Sequence, residues 1–163
     1  MSNPLQVREF FSGVWRGSGV LRPSWWLRWL CPVEQVKQSS EAVWLTDTVW
    51  LVRDRFEFSS GRVLEGRMFS ELVAPDRIHV TADHMPMGAD IHLSESGFRF
   101  TPYRVLAQYR GMMLQLRCLD ECRLDADGCI HDCIRLFWHG LAVAEMRMGP
   151  IRRTRSTPDR SVS

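Results

Sequence analysis

The stretch Gly13-Val14-Trp15-Arg16-Gly17-Ser18-Gly19 decides the fold of this chain. A tryptophan on a strand buries its large ring, and neighbouring glycines let other backbone approach closely because they have no Cβ. The stretch follows Phe10-Phe11, the apolar end of a short helix that begins near Asn3-Pro4. Gly-x-Trp on a first strand after a short helix is typical of small antiparallel barrels whose interior is filled or holds one ligand.

Length and composition predict a single globular domain without a membrane span. The chain has 163 residues, of which 45% are hydrophobic and 25% charged, and no apolar run is long enough to cross a bilayer. A net charge of +2 gives no electrostatic case for binding nucleic acid. Met1 to Glu9 lacks a cationic start followed by an apolar stretch, so we expect no signal peptide, a cytoplasmic location and five reduced cysteines.

The C-terminal residues differ in character from the rest of the chain. Arg152, Arg153 and Arg155 open a segment rich in serine, threonine and proline. Such a segment has too little apolar surface to order itself. We therefore predict a barrel domain over residues 1–151 and a disordered basic and polar tail over residues 152–163.

Beyond residue 32, apolar and polar residues alternate with the period of two that is typical of half-buried strands. Turn residues such as Ser59-Ser60-Gly61 and Ala74-Pro75-Asp76 separate the alternating segments. The inward face predicted for residues 49–58 comprises Trp50, Val52, Asp54, Phe56 and Phe58. Eight to ten strands in meander order predict an all-β protein that folds as a single antiparallel up-and-down barrel.

A tryptophan-rich segment, residues 23–32, interrupts this alternation after the first strand. Ser24 can cap a short helix of about two turns that Pro32 ends. The segment is either a lid packed over one barrel end or a mobile portal, where exposed aromatic residues mark an entry for an apolar ligand. As a portal, Trp25–Leu30 would also be the one place for a membrane contact.

Four of the five cysteines flank one hairpin, as Cys118-x-x-x-Cys122 and Cys129-x-x-x-Cys133. A type I turn at Asp125–Gly128, with Gly128 in the left-handed bulge position, sets Leu124 opposite Ile130 and Leu116 opposite Trp138. The first cysteine pair then faces inward and the second outward, so four thiolates cannot surround one metal ion. The other register would expose the apolar residues of the second strand, at a higher cost. We therefore expect no metal site.

The same register sends Asp120 and Asp132 inward, and Asp54 lies on the inner face of its own strand. A buried carboxylate is costly, so each needs a partner or a raised pKa. One interpretation is structural: the carboxylates pair with arginine or indole nitrogens, or lie at a solvent-exposed rim of the barrel. The other is functional: they are the few polar groups that orient a ligand in an apolar cavity. A barrel enzyme, an isomerase or lyase, could use Asp54 or Asp120 with His84, but no catalytic triad, phosphate loop or metal spacing supports catalysis.

Several scattered segments carry a resemblance to known families. They are Thr81-Ala82-Asp83 to Gly88-Ala89, Gly97-Phe98-Arg99-Phe100, Tyr103-Arg104-Val105, Asp120 to Asp127-Gly128, and His139-Gly140-Leu141-Ala142-Val143. With Gly-x-Trp and the strand order, the chain resembles the calycins, which include the lipocalins, and within them the bacterial DUF3833 family of unknown function. The resemblance implies a barrel and no known chemistry. The lipoprotein anchor common in that family does not carry over, because we find no signal peptide or lipobox cysteine.

The chain also resembles the nitrobindin-type haem proteins, which open with Gly-x-Trp-x-Gly-x-Gly. Gly13, Trp15, Gly17 and Gly19 match that pattern, but Leu21-Arg22-Pro23 stands where the family has a Tyr-Pro pair. The family's haem-ligating histidine lies close to the C-terminal strand. This resemblance implies haem binding through His139 as an alternative.

We expect the barrel to bind a small hydrophobic or amphipathic ligand without catalysis and without a cofactor. The predicted ligand-lining residues are Trp26, Trp50, Asp54, Phe56, Phe58, Met68, Phe98, Phe100, Tyr103, Asp120 and Trp138. Aromatic rings and methionines suit an apolar guest, and the carboxyls would orient its polar group.

Overall fold

The computed structural model describes residues 4–109 and 111–154. Its elements are α1 (Pro4–Phe10), β1 (Gly13–Pro23), a 3-10 turn (Trp25–Leu27), β2 (Glu34–Trp44), β3 (Val49–Phe58), β4 (Val63–Ala74), β5 (Arg77–Ala82), β6 (Met85–Ser94), β7 (Gly97–Phe100), β8 (Tyr103–Tyr109), β9 (Met112–Leu124), β10 (Ile130–Trp138) and β11 (Leu141–Thr154). The all-β prediction is confirmed.

The strands form one antiparallel sheet that closes on itself. Ten strands form the ring, because β10 pairs with both β9 and β11, and β11 pairs with β1. The eleventh strand, β8, pairs with the first half of β9, while β7 pairs with its second half. The chain therefore makes one strand more than the predicted eight to ten, since β7 and β8 share a partner. Closure leaves few free strand edges.

Helix α1 closes one end of the barrel. Its Val7 is fully buried, and the Phe11 ring that follows the helix lies 5.6 Å from Trp50 and 5.7 Å from Phe98, centroid to centroid. Trp50, only 1% exposed, stacks on Trp44 at 4.4 Å. This aromatic cluster makes the α1 end a packed core. The opposite end, where β1 leads into β2, is called the mouth below.

The glycines after Trp15 allow close packing across β1 and β11, as predicted. A Cβ on Gly17 would lie 2.6 Å from the Ile151 side chain, and one on Gly19 would lie 2.0 Å from the Arg147 carbonyl oxygen. The Trp15 ring is partly buried and packs 5.2 Å from Phe10. The Gly-x-Trp stretch therefore seats the last strand against the first.

The predicted β9–β10 register is confirmed along the whole paired stretch, from Leu124–Ile130 to Arg117–Phe137. Leu124 pairs with Ile130, and Gly128 adopts φ 75° in the bulge position. Pairing with β9 ends at Phe137, so the last predicted pair, Leu116 with Trp138, lies one residue beyond the paired stretch, and Trp138 is 39% exposed. The irregularity in the pairing of β10 with β11 lies on β11, because Leu136 pairs with Ala144 and Phe137 with Ala142.

Two boundaries lie elsewhere than predicted. The tryptophan-rich segment forms a single 3-10 turn at Trp25–Leu27 instead of a helix of two turns. Strand β11 runs to Thr154, so Arg152 and Arg153 are strand residues paired with β1 and not part of a tail. The rest of the predicted tail, residues 155–163, lies outside the described residues. Within the described part of the chain, no helix is both long and apolar enough to cross a bilayer.

Candidate functional site

Three carboxyl groups face the barrel interior from two sides. Asp54 projects from β3, while Asp120 and Asp132 project from β9 and β10 on the other wall. They are close enough for the charge of Asp54 to act on both of the others. The inward orientation of all three side chains follows from the strand pairing, because every second residue of a strand faces the interior. The interior of the barrel therefore holds an acidic cluster.

Asp54 has one hydrogen-bonding neighbour and one basic neighbour. The Ser40 hydroxyl, directly opposite on β2, donates a hydrogen bond to Oδ1 of Asp54. The His84 side chain, in the turn between β5 and β6, acts on it electrostatically. Burial raises the pKa of the Asp54 carboxyl, and Ser40 and His84 oppose that rise.

Asp120 and Asp132 lie in a denser polar network. The Tyr103 hydroxyl donates to Oδ2 of Asp120 at 3.0 Å, and the Cys122 Sγ lies 3.9 Å from its Oδ1. One oxygen of each carboxylate and the Cys122 sulfur all lie within 4.8 Å of one another. Oδ1 of Asp132 is buried and accepts no hydrogen bond.

Burial raises the pKa values of the titratable groups on this wall. It raises the pKa of Asp120 well above its ordinary value, helped by the charge of Asp132, and raises that of Asp132 to about 6. It also raises the pKa of the Cys118 thiol to about 12, and the pKa of Tyr103 rises as well. At neutral pH this wall therefore donates as well as accepts hydrogen bonds.

The inner wall beside Asp54 is bare. Gly66 on β4 pairs directly with Asp54, and a Cβ built on it would have only the His84 ring within 4 Å, the nearest atom at 3.5 Å. Inward-facing Phe56 and Met68 on the same two strands are only partly buried. A Cβ at Gly66 would therefore contact the His84 ring alone, at ordinary van der Waals distance, in contrast to the overlaps at Gly17 and Gly19.

The structure divides the predicted lining residues into three groups. Around the acidic cluster lie Asp54, Phe56, Met68, Phe100, Tyr103 and Asp120. Trp50 and Phe98 are buried in the packed core at the α1 end, whereas Phe58 is buried at the other end of β3, beneath the Arg62 guanidinium. Trp26 and Trp138 lie at the mouth, and Trp138 is six residues along β10 from Asp132, a rise of about 20 Å. Trp138 is 39% exposed there, and its role as a ligand-lining residue stays a prediction.

The tryptophan-rich segment is attached to the mouth at a few points. The Ser24 hydroxyl and the Trp26 indole nitrogen donate to the Ala142 carbonyl oxygen, at 2.6 and 3.2 Å. Trp25 and Trp29 are each 80% exposed. These rings are not packed over the barrel as a buried lid.

His139 lies in the turn between β10 and β11, exposed and with φ 47°. Its ring packs edge-on against the exposed Trp138 at 4.9 Å. Haem ligation by His139 stays a prediction that no contact in the structure supports.

A surface depression of about 490 Å³ lies beside the start of β6. Leu51, Phe69 and Thr81, which are neighbours on the outer face, line it together with Met87. It therefore belongs to the outer wall and not to the interior of the barrel.

Comparison with known proteins supports the fold. The chain is similar to the S-type phycobiliprotein lyase CPES from Guillardia theta, with a TM-score of 0.61 and 12% identity over 96% of this chain and 94% of that one. It is also similar to Rv2717c from M. tuberculosis, with a TM-score of 0.59 and 10% identity over 95% and 99%. Both similarities support the closed antiparallel β-barrel described above. No family model and no curated protein matches the sequence.

Three residues of the candidate site were not predicted from the sequence. Ser40 and Gln38 continue the inward face of β2, and Gly66 continues that of β4. The alternation Val36-x-Gln38-x-Ser40-x-Ala42-x-Trp44 was the signal for the first two. The openness at Gly66 had no sequence signal, because a strand glycine indicates close packing as often as free space.

Proposed function

We propose that this barrel binds a small hydrophobic or amphipathic molecule in its interior. The observation that carries the proposal is the bare wall at Gly66, directly opposite the buried Asp54 carboxyl. An apolar site with a few fixed polar groups is the usual form of a small-molecule pocket.

The surrounding side chains suit an amphipathic guest. Phe56, Phe100 and Tyr103 offer aromatic surface that is only partly buried by the protein itself. Asp54 offers a hydrogen-bonding group whose only side-chain hydrogen bond among the described residues comes from Ser40. The apolar body would lie against the rings, and a hydroxyl, amide or amino group would bind the carboxyl.

The attachment of the tryptophan-rich segment supports an entrance at the mouth. Trp25 and Trp29 expose their rings there instead of filling the interior. Large apolar side chains in contact with water mark a place where an apolar molecule first binds.

A neutral fluorescent probe, N-phenyl-1-naphthylamine, tests the proposal. We expect saturable binding of one probe per chain with a strong rise in emission. Gly66→Phe places a ring in the free space and should weaken binding at least about tenfold, an expected loss of about 1.4 kcal/mol. Glu65→Phe, which puts the same ring on the exposed outer face of the same strand, is the matched control and should bind within about twofold of wild type.

Two results would contradict the proposal: a wild-type protein that binds no probe, and a folded Gly66→Phe variant that binds as well as wild type. Native mass spectrometry of the freshly purified protein then identifies the natural ligand by its mass.

A barrel enzyme is the second candidate, favoured by one observation. His84 and Asp54 interact electrostatically beside the free space at Gly66, which is how an acid and a base would be arranged. If they catalyse proton transfer, the natural ligand should gain deuterium when incubated with the protein in D2O. His84→Gln should abolish the gain, whereas His92→Gln, an exposed position on β6, should not.

A further inference from the structure

The wall between β9 and β10 brings together three side chains of a kind that binds metal ions. Asp132 on β10 pairs directly with Cys122 on β9, and Asp120 lies two residues along β9 on the same inward face. These placements follow from the strand register, which the turn at Asp125–Gly128 sets. Two carboxyls and one thiol therefore share one patch of the inner wall.

The donor atoms lie within coordinating reach of a common point. One oxygen from each carboxylate and the Cys122 sulfur are all within 4.8 Å of one another, and the sulfur is 3.9 Å from Oδ1 of Asp120. Small rotations of the side chains would bring all three to bonding distance of one ion, about 2.0–2.3 Å for Zn²⁺.

A second observation indicates a missing positive partner. Oδ1 of Asp132 is buried and accepts no hydrogen bond, which is costly for a carboxylate oxygen. Within residues 4–109 and 111–154, no arginine or lysine donates to Asp120 or Asp132. Asp120 and Asp132 hydrogen-bond to each other, and a bound cation would take the place of the proton that they share.

We infer that Asp120, Cys122 and Asp132 bind one divalent ion of the Zn²⁺ class on the inner wall of the barrel. One thiolate and two carboxylates suit a borderline-soft, four-coordinate ion, whereas Ca²⁺ and Mg²⁺ require more oxygen ligands. The Tyr103 hydroxyl donates to Oδ2 of Asp120 at 3.0 Å and so fixes the orientation of that ligand. A water molecule takes the fourth position.

This site differs from the four-cysteine site that the hairpin register excludes. Cys133 faces outward on β10, one residue from Asp132, and takes no part in it. The metal ligands do not include Asp54 or Gly66, so the variants that test the metal site differ from those that test the proposed ligand pocket.

Cobalt(II) tests the inference, because a cysteine thiolate bound to Co²⁺ gives an intense near-ultraviolet charge-transfer band. Titration of the chelator-treated full chain with Co²⁺ should produce this band with a stoichiometry of one, and Zn²⁺ should bleach it. Cys122→Ser should abolish the band. Cys133→Ser, the outward neighbour on β10, should keep both the band and the wild-type affinity.

Asp132→Asn provides a second, nearly isosteric test that does not depend on the sulfur. It should weaken Co²⁺ binding at least about tenfold with an unchanged far-ultraviolet spectrum. The inference is overturned if wild type binds no Co²⁺ stoichiometrically, if the band survives in Cys122→Ser, or if Asp132→Asn binds Co²⁺ as wild type does. The Asp132→Asn result decides the matter should Cys122→Ser fail to fold.

Discussion

Asp54 on β3 lies directly opposite Gly66 on β4, so a buried carboxyl faces a position without a side chain. Burial raises the pKa of Asp54 above its ordinary value of 3.8, against the opposing effects of Ser40 and His84. The folded state therefore holds this proton more tightly than the unfolded state. The stabilisation that results is fully present below the ordinary pKa and is lost as pH rises through the folded value.

Asp54→Asn should therefore stabilise the protein at neutral pH. The amide keeps an oxygen that can accept from the Ser40 hydroxyl, and it removes a buried charge. We expect the free energy of unfolding to rise by about 1 kcal/mol at pH 7, and the gain to shrink toward zero as pH falls below the ordinary carboxyl range. Urea titrations at several pH values measure it. Asp76→Asn, at an exposed turn, is the control and should show no such pH dependence; a variant less stable than wild type at pH 7 would contradict the expectation.

Gly19→Ala should destabilise the barrel closure. The new Cβ would lie 2.0 Å from the Arg147 carbonyl oxygen and 2.7 Å from the Met148 Cα, so backbone must move. We expect a loss of about 3 kcal/mol or more in the free energy of unfolding. Gly66→Ala is the matched control: its Cβ meets only the His84 ring at 3.5 Å, and its stability should stay within about 1 kcal/mol of wild type. Equal effects of the two changes would mean that β1 and β11 do not approach closely.

The sequence predicted those parts of the fold that local patterns determine. Strand β3 spans Val49–Phe58, the residues over which the alternation was predicted. The turn residues Ser59-Ser60-Gly61 end it. The turn at Asp125–Gly128 carried enough information to place Asp120 and Asp132 on the inner face. Alternation and turn chemistry are properties of a few neighbouring residues, so they can be read without the rest of the chain.

Features that depend on barrel closure could not be predicted in this way. The approach of Asp54 to Asp120 and Asp132 depends on the stagger of all ten ring strands, which no short segment encodes. Trp138 has the inward parity of Leu136, but it is the last residue of β10 and lies at the mouth, 39% exposed. Alternation predicts which face a residue takes and not how far along the barrel its strand ends.

Trp50→Ala should be among the most damaging substitutions in the chain. The ring is 1% exposed and stacks on Trp44 at 4.4 Å, so its loss leaves a large cavity beside the α1 end. We expect a loss of about 3–5 kcal/mol in the free energy of unfolding. Trp29→Ala, at a site that is 80% exposed, should cost less than about 0.5 kcal/mol. Chemical denaturation of both variants checks the contrast, and similar losses would show that Trp50 is not core.

The cysteines should differ in their reactivity toward iodoacetamide at pH 8. Alkylation needs an accessible thiolate, and burial both shields Cys118 and raises its pKa to about 12. Cys122 is similarly buried, whereas Cys133 is partly exposed on the outer face. Peptide mass mapping should find label on Cys133 in the folded protein and on Cys118 and Cys122 only after unfolding. Label on Cys118 before Cys133 in the folded state would contradict the β9–β10 register.

Trp26→Phe tests whether the tryptophan-rich segment gates the mouth. The Trp26 indole nitrogen donates to the Ala142 carbonyl oxygen at 3.2 Å and ties the segment to β11, and phenylalanine removes only that bond. Loss of one such bond, about 0.5–1.5 kcal/mol, should raise the open fraction and speed the entry of N-phenyl-1-naphthylamine about threefold or more in stopped-flow fluorescence. Trp29→Phe is the matched control, because the Trp29 nitrogen donates within the segment, to the Trp26 carbonyl oxygen at 2.9 Å. Equal entry rates in the two variants would show that the Trp26 bond to the barrel wall does not control access.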